Sequence, residues 1–122
     1  MNGRKITKYI LGKEVSPRMR SPGEIKRVIE ARLSAYLQRD KTGIRRDLLK
    51  LFLKIRALTI AEIYSALVKR FTITYHAVAS MVGIIASKLG ILHVRKSADG
   101  STSIYELKEQ YVDLVKRIVR TA

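Results

Sequence analysis

The stretch "TITYHAVASMVGIIASKLGIL", residues 72–92, decides how this chain is read. Thr74 suits the cap of a helix, the apolar positions Val78, Val82, Ile85 and Leu89 recur at helical spacing, and Gly90 suits a C-terminal stop. Immediately before it, "LTIAEIYSALVKRF" opens with a capping box from Thr59 to Glu62 and continues with Ile60, Ile63, Tyr64, Leu67 and Phe71 on one face. Two helices joined by a tight turn form a helix-turn-helix unit. The second of them would then be the element that enters a nucleic-acid groove.

Working outward, "ILHVRKSADGSTSIYELK" has the marks of a β-hairpin centred on Asp99-Gly100, the preferred pair for a two-residue type I′ turn. That centre sets Val94 opposite Tyr105 and Leu92 opposite Leu107 on an inner face, with His93–Glu106 and Arg95–Ile104 on the outer one. "SPGE" at 21–24 signals a further helix start, with a Ser21–Glu24 capping box and Pro22 in the first turn, and Ile25, Ile29, Leu33 and Tyr36 form its stripe. "DKTGIRRDLLKLFLKIRA" predicts a central helix, Thr42 a candidate cap, with Ile44, Leu48, Leu51, Phe52 and Ile55 apolar. "EQYVDLVKRIVR" gives a last helix through Tyr111, Leu114, Val115 and Ile118. The expected helices are about 22–39, 43–56, 60–70, 75–89 and 108–120, with the hairpin at about 91–107. Residues 1–20 carry six basic side chains, one acid and the breakers Gly12 and Pro17; "KITKYILG" has the composition of a short strand, but a flexible basic arm that orders on a partner is expected.

The fold class expected is mainly α with a small hairpin wing: a winged helix over 21–122 with an extra helix at each end. "TIAEIYSALVKRFTITYHAVASMVGIIASKLGIL" resembles the DNA-binding half of ferric uptake regulators and other winged-helix repressors. "GIRRDLLKLF", "YHAVASMVGII" and "SKLGIL" are together similar to a family of small archaeal winged-helix proteins without assigned function. That second resemblance covers residues 30 to 120 and implies the fold and nucleic-acid binding, not a target. Ferric uptake regulators add a metal-binding domain rich in His and Cys. Here only His76 and His93 occur and there is no cysteine, so no metal-sensing role carries over.

The chain has 122 residues and 47% hydrophobic content, enough for one core. Its formal charge is +15, an excess that nucleic acid commonly relieves. Residues 1–58 hold 16 basic against 5 acidic side chains, and residues 59–122 hold 9 against 5, so the positive field belongs to the first half. No apolar run reaches the ~18 residues of a membrane span, and the N-terminus does not read as a signal peptide. A soluble, cytoplasmic, nucleoid-associated protein is expected.

On the 75–89 helix the outward set is Tyr75, His76, Ser80, Ile84, Ser87 and Lys88, beside a strip of Ala79, Gly83 and Ala86 that predicts close packing of another helix. The helix has no Arg, Asn or Gln, the residues of strong base readout. Sparing readout through His76 and Ser80 is therefore expected, or else those two are plain surface residues. Candidate nucleic-acid contacts are Arg4, Lys5 and Lys8 on the arm, Arg45 and Arg46 at a helix start that could take a phosphate, Thr74, Tyr75, His76, Ser80, Ser87 and Lys88, and Arg95 and Lys96 on the wing. Arg45 and Arg46 also read as a solvated pair.

Double-stranded DNA is favoured as partner, in a regulator or chromatin-associated factor of modest specificity. RNA or ribosome association and a protein-interaction role in a transcription assembly remain alternatives. The sequence has no P-loop, no dinucleotide fingerprint, no zincin motif and no cysteine nucleophile, so no enzyme, cofactor or metal is expected. The apolar faces of 22–39 and 108–120 either form a homodimer or pack on their own domain.

Overall fold

The computed structural model describes residues 8–10, 13–15 and 21–121. Helix α1 (Pro22–Gln38) starts at the expected capping box, where Ser21 Oγ accepts from the Glu24 amide and the Glu24 carboxylate accepts from the Ser21 amide. Helix α2 (Ile44–Lys54) follows, then a two-residue strand β3 (Ala57–Leu58) and helix α3 (Ile60–Leu67). The capping box of Thr59 and Glu62 forms at the start of α3. Helix α4 (Tyr75–Ile84) runs into a π-helical turn (Ile85–Leu89), after which come strands β4 (Leu92–Lys96) and β5 (Ser103–Leu107), a 3-10 turn (Glu109–Tyr111) and helix α5 (Val112–Thr121). The result is mainly helical with a three-stranded antiparallel sheet of order β3-β5-β4.

The hairpin register is the expected one: Leu92 faces Leu107, His93 faces Glu106, Val94 faces Tyr105 and Arg95 faces Ile104. The turn is different. Ser97 donates from its amide to the Thr102 carbonyl and the Gly100 amide donates to Ser97, so the loop is wider than a two-residue type I′ turn. Its Asp99 carboxylate accepts from Ser97 Oγ at 2.7 Å, Ser101 Oγ at 2.8 Å and the Ser101 amide at 3.0 Å. A side chain that satisfies the loop in this way replaces the tight turn that Asp-Gly alone suggests. Gly100 supplies the positive φ of 76°. The apolar inner face also stops early: Leu92 and Leu107 are buried, whereas Val94 is 45% exposed on the projecting wing.

One core joins all five helices. Ile29, Leu33, Tyr36 and Leu37 of α1 and Tyr111, Leu114, Val115, Ile118 and Val119 of the C-terminal segment are buried within it. The apolar faces considered for a homodimer through 22–39 and 108–120 are thus consumed by their own domain. Glu30 and Arg117 tie α1 to α5 through a bond of 2.9 Å. Two stripe residues fall outside the core. Ile25 is exposed near the start of α1, and Ile55 is exposed because the chain leaves the helix there for an extended conformation leading to β3. Helices α2 and α3 therefore end earlier than the expected 56 and 70. Strand β3 escaped the sequence reading, since two residues carry no alternation.

Within the segment expected to be a flexible arm, β1 (Lys8–Ile10) pairs antiparallel with β2 (Lys13–Val15), Lys8 opposite Val15. At these positions Tyr9, Ile10 and Val15 favour strands, and a short strand within "KITKYILG" is present at Lys8–Ile10. The rest of that arm lies outside the described residues.

Candidate nucleic-acid interface

Helix α4 is positioned by its buried stripe. Val78, Val82, Ile85 and Leu89, as expected from spacing, are all at most 4% exposed. Thr74 accepts the Ala77 amide at 3.1 Å, so its side chain caps the helix. The opposite side carries His76, Ser80, Ile84, Ser87 and Lys88, all exposed; Tyr75 shares the side of Val78 and Val82 by periodicity and is exposed as the first residue of the helix. Tyr75 leans on Tyr64 of α3, the ring centres 5.7 Å apart. Ser87 turns its hydroxyl back onto the Gly83 carbonyl at 2.8 Å.

Gly83 corrects the sequence reading. The small-residue strip suggested that another helix presses against it, yet a Cβ built at Gly83 meets nothing within 4 Å. At 100° per residue, Gly83 projects about 20° from His76, between it and Ala79, and away from the buried stripe. Beside His76, Ser80 and Ser87 that face thus carries half-buried bare backbone with open space before it. Gly90 behaves as expected and ends the helix with a φ of 72°.

Arg45 and Arg46 are also reassigned. The amide-rich start of α2 is already occupied by Asp40, whose carboxylate accepts from the amides of Gly43 (3.1 Å), Arg45 (3.2 Å) and Arg46 (3.0 Å). Thr42, the expected cap, makes only a 3.4 Å contact with the Ile44 amide. Gly43 takes a φ of 89° to let the chain turn over the carboxylate. Arg45 lies over the Tyr36 ring, 4.5 Å from its centre, and donates to the Tyr36 carbonyl at 2.8 Å. Arg46 donates to the Val119 carbonyl near the C-terminal end of α5. Both side chains brace neighbouring helices in place of the solvated pair.

The wing cations are partly engaged as well. Arg95 pairs with Glu106 at 3.6 Å across the strands, and Lys96 donates to Ser103 Oγ at 3.3 Å. Arg4 and Lys5 lie outside the described residues, and Lys8 is described only as the first residue of β1. The structure instead adds two cations that sequence reading passed over: Arg32 and Arg39 of α1 share a groove with Ser87 and Lys88. Nothing near them in sequence announces the groove, and only the fold shows that α1 runs beside the end of α4. Tyr36, in the same groove, is 8% exposed, and burial pushes its phenol up to about 12 against the opposing pull of Arg45. Among the described residues no group of three or more His, Cys, Asp or Glu is placed to hold a metal. No described helix is long and apolar enough to cross a membrane.

A helix-turn-helix followed by a two-stranded wing defines a winged-helix protein, and solved structures carry the same fold. The crystal structure of MepR, a transcription regulator of the Staphylococcus aureus multidrug efflux pump MepA, aligns with a TM-score of 0.54 at 19% identity over 80% of this chain and 67% of that one. A mutant MarR from E. coli aligns at 0.55 and 17% identity over 88% of this chain and 77% of that one. The same mutant complexed with operator DNA gives 0.54 and 15%, over 80% of this chain and 65% of that one.

The chain belongs to the family described as "Protein of unknown function (DUF2551)", which matches residues 33–115. An uncharacterized protein of Archaeoglobus fulgidus is 44% identical over 92 residues, or 75% of this chain and 92% of that protein. The expected likeness to small archaeal proteins of this kind thus holds. The likeness to ferric uptake regulators has no counterpart among these neighbours.

Proposed function

We propose that this chain is a winged-helix nucleic-acid-binding protein that prefers duplex DNA to RNA and acts as a regulator or chromatin-associated factor of modest sequence specificity. The observation that carries this reading is the outward face of α4. A glycine with open space before it costs helix stability without serving the fold. Its value lies in letting the backbone come close to a partner. His76, Ser80 and Ser87 lie nearest it and supply few base-edge donors, so affinity rests on phosphate contacts. A MarR relative in fold is known in complex with operator DNA, which supports the reading. We read the protein as non-catalytic and cytoplasmic. A homodimer, if formed through α1 and α5, would use their outward edges, because their apolar residues are spent inside the domain.

The test is fluorescence anisotropy with a labelled duplex over a range of salt, with unlabelled duplex and structured RNA as competitors. The reading requires duplex to compete better than RNA, and Gly83→Leu to weaken duplex binding at least tenfold while the far-UV spectrum stays unchanged. Better competition by RNA would overturn the preference for DNA. Equal binding by Gly83→Leu would remove the α4 face from the interface.

A further inference from the structure

A second cationic face lies on the side of α3 turned away from α4. Tyr64 meets Tyr75 of α4 on one flank of α3. Ala66 lies about 160° round the axis from Tyr64, with the buried Ile63 and Leu67 between them. On that far flank Ala66 and Arg70 meet Asp47, Lys50, Leu51 and Lys54 of α2 across a groove of about 200 Å³. A cavity this small falls below the range of sites for small organic molecules. Its one carboxylate, Asp47, is paired with Arg70 and largely covered. Lys50 and Lys54 are exposed and, among the described residues, stand in no ion pair. Lys69 is exposed next to Arg70. Cations gathered in this way repel one another until a polyanion relieves them.

We propose that this face binds a second duplex, so that a single chain bridges two nucleic-acid segments. Bridging of this kind rests on the reading of α4 as the site of the first duplex. Lys50 and Lys54 stand one helical turn apart, about 6 Å along the axis, close to the interval between successive phosphates of a strand. Arg70 keeps 70% of its side chain exposed while it holds Asp47, and so adds a third contact. Ammonium groups bind phosphate as point charges and need no shaped pocket. A protein partner would instead need room for an anchoring side chain, and the groove is too small for one. A duplex on α4 meets the near flank of α3. Short DNA is a stiff rod, so the same duplex does not turn round α3 to reach Lys50 and Lys54. The two faces therefore take separate duplexes.

The full chain is tested with two duplexes of about 12 base pairs, roughly 40 Å long, one tethered to beads and one carrying a fluorophore. The chain should draw the labelled duplex onto the beads, and sedimentation in duplex excess should show one chain with two duplexes. Lys50→Glu/Lys54→Glu should lower that capture at least tenfold while changing the affinity for a first duplex less than threefold. Lys50→Gln/Lys54→Gln should fall between, and both variants should keep the melting temperature, since the two side chains are exposed. Capture that survives Lys50→Glu/Lys54→Glu overturns the proposal. So does a particle of two chains with two duplexes, which would make bridging the work of a dimer. A labelled poly-glutamate peptide that binds the chain but not Lys50→Glu/Lys54→Glu, with one duplex per chain, would hand the face to an acidic protein segment instead. One duplex per chain, still weakened by Gly83→Leu, sinks the second site and leaves the α4 reading standing. Two duplexes per chain with no effect of Gly83→Leu moves the first site away from α4 and leaves the bridging face standing.

Discussion

Arg45 and Arg46 stand in the first turn of α2, where the helix dipole repels cations, and Asp40 reconciles them with it. One carboxylate takes three backbone amides there, a cap that also offsets the two guanidinium charges. Asp40→Ala should lower unfolding stability by about 1–2 kcal/mol, read from the midpoint of a urea titration at constant slope. An unchanged midpoint would show that water caps the helix equally well. Gly83→Ala should do the reverse and stabilise the fold by about 0.5–1 kcal/mol, because the added methyl meets nothing. Thermal unfolding and duplex affinity, measured on the same preparation, should move in opposite directions for that variant. Asp99 gives a residue-scale pH effect. Bonds from Ser97 and Ser101 hold its carboxyl down to about 2 against an ordinary 3.8. A depressed carboxyl supports the loop above the ordinary value, and that support is lost as pH falls through the folded one. The amide signals of Ser97 and Ser101 should therefore shift between pH 4 and pH 2 and stay flat from pH 5 to 7; in Asp99→Asn they should not titrate in that window.

At the scale of elements, what the sequence made legible follows from how local each signal is. Both capping boxes, the buried stripe of α4 and the register of the wing rest on neighbours three or four residues away, or on symmetric pairing about one turn, and all appear in the structure. What was misread needed a distant partner. The carbonyl that Arg46 bonds belongs to Val119, and nothing near Arg46 announces it. Gly83 looked like a packing residue because periodicity gives a helix a face but not what lies against it. The groove of α1 and α4 was illegible for the same reason, Lys88 standing 56 residues along the chain from Arg32. The end of α4 is the element most open to testing. Gly90→Ala forces a side chain into a left-handed conformation and should cost about 1 kcal/mol, with amide exchange faster at Ile85–Leu89 than in α3.

For the whole molecule, the charge of +15 governs behaviour more than any single contact. With Arg45 and Arg46 built into helix contacts, the cations left to meet a polyanion are concentrated in the N-terminal segment, on the outward edges of α1 and around Lys88, with the set on α2 and α3 on a separate face. Log affinity for a duplex should fall linearly with log salt, and deleting residues 1–20 should lower both the affinity and the slope. An unchanged slope would mean that the segment is a bystander. Because α1 and α5 bury their apolar residues inside the domain, the free chain should sediment as a monomer at micromolar concentration, and addition of an operator-length duplex should be needed before larger species appear.

The π-helical turn at Ile85–Leu89 closes with the Gly90 amide donating five residues back to the Ile85 carbonyl. A ring of that size holds one residue more than an α-helix needs. The chain therefore carries a spare residue at the very point where it turns from helix to wing. Removing one residue from Ile84–Lys88 would let ordinary α-helical bonds close the same gap, with Ile85 and Leu89 then three apart and still on the inner face. A one-residue deletion is thus better accommodated here than elsewhere along the helix, changing which of Ala86, Ser87 and Lys88 faces outward while Ile85 and Leu89 keep the inner face. Evolution could re-aim the end of this helix by deletion instead of substitution, leaving the core that supports it untouched.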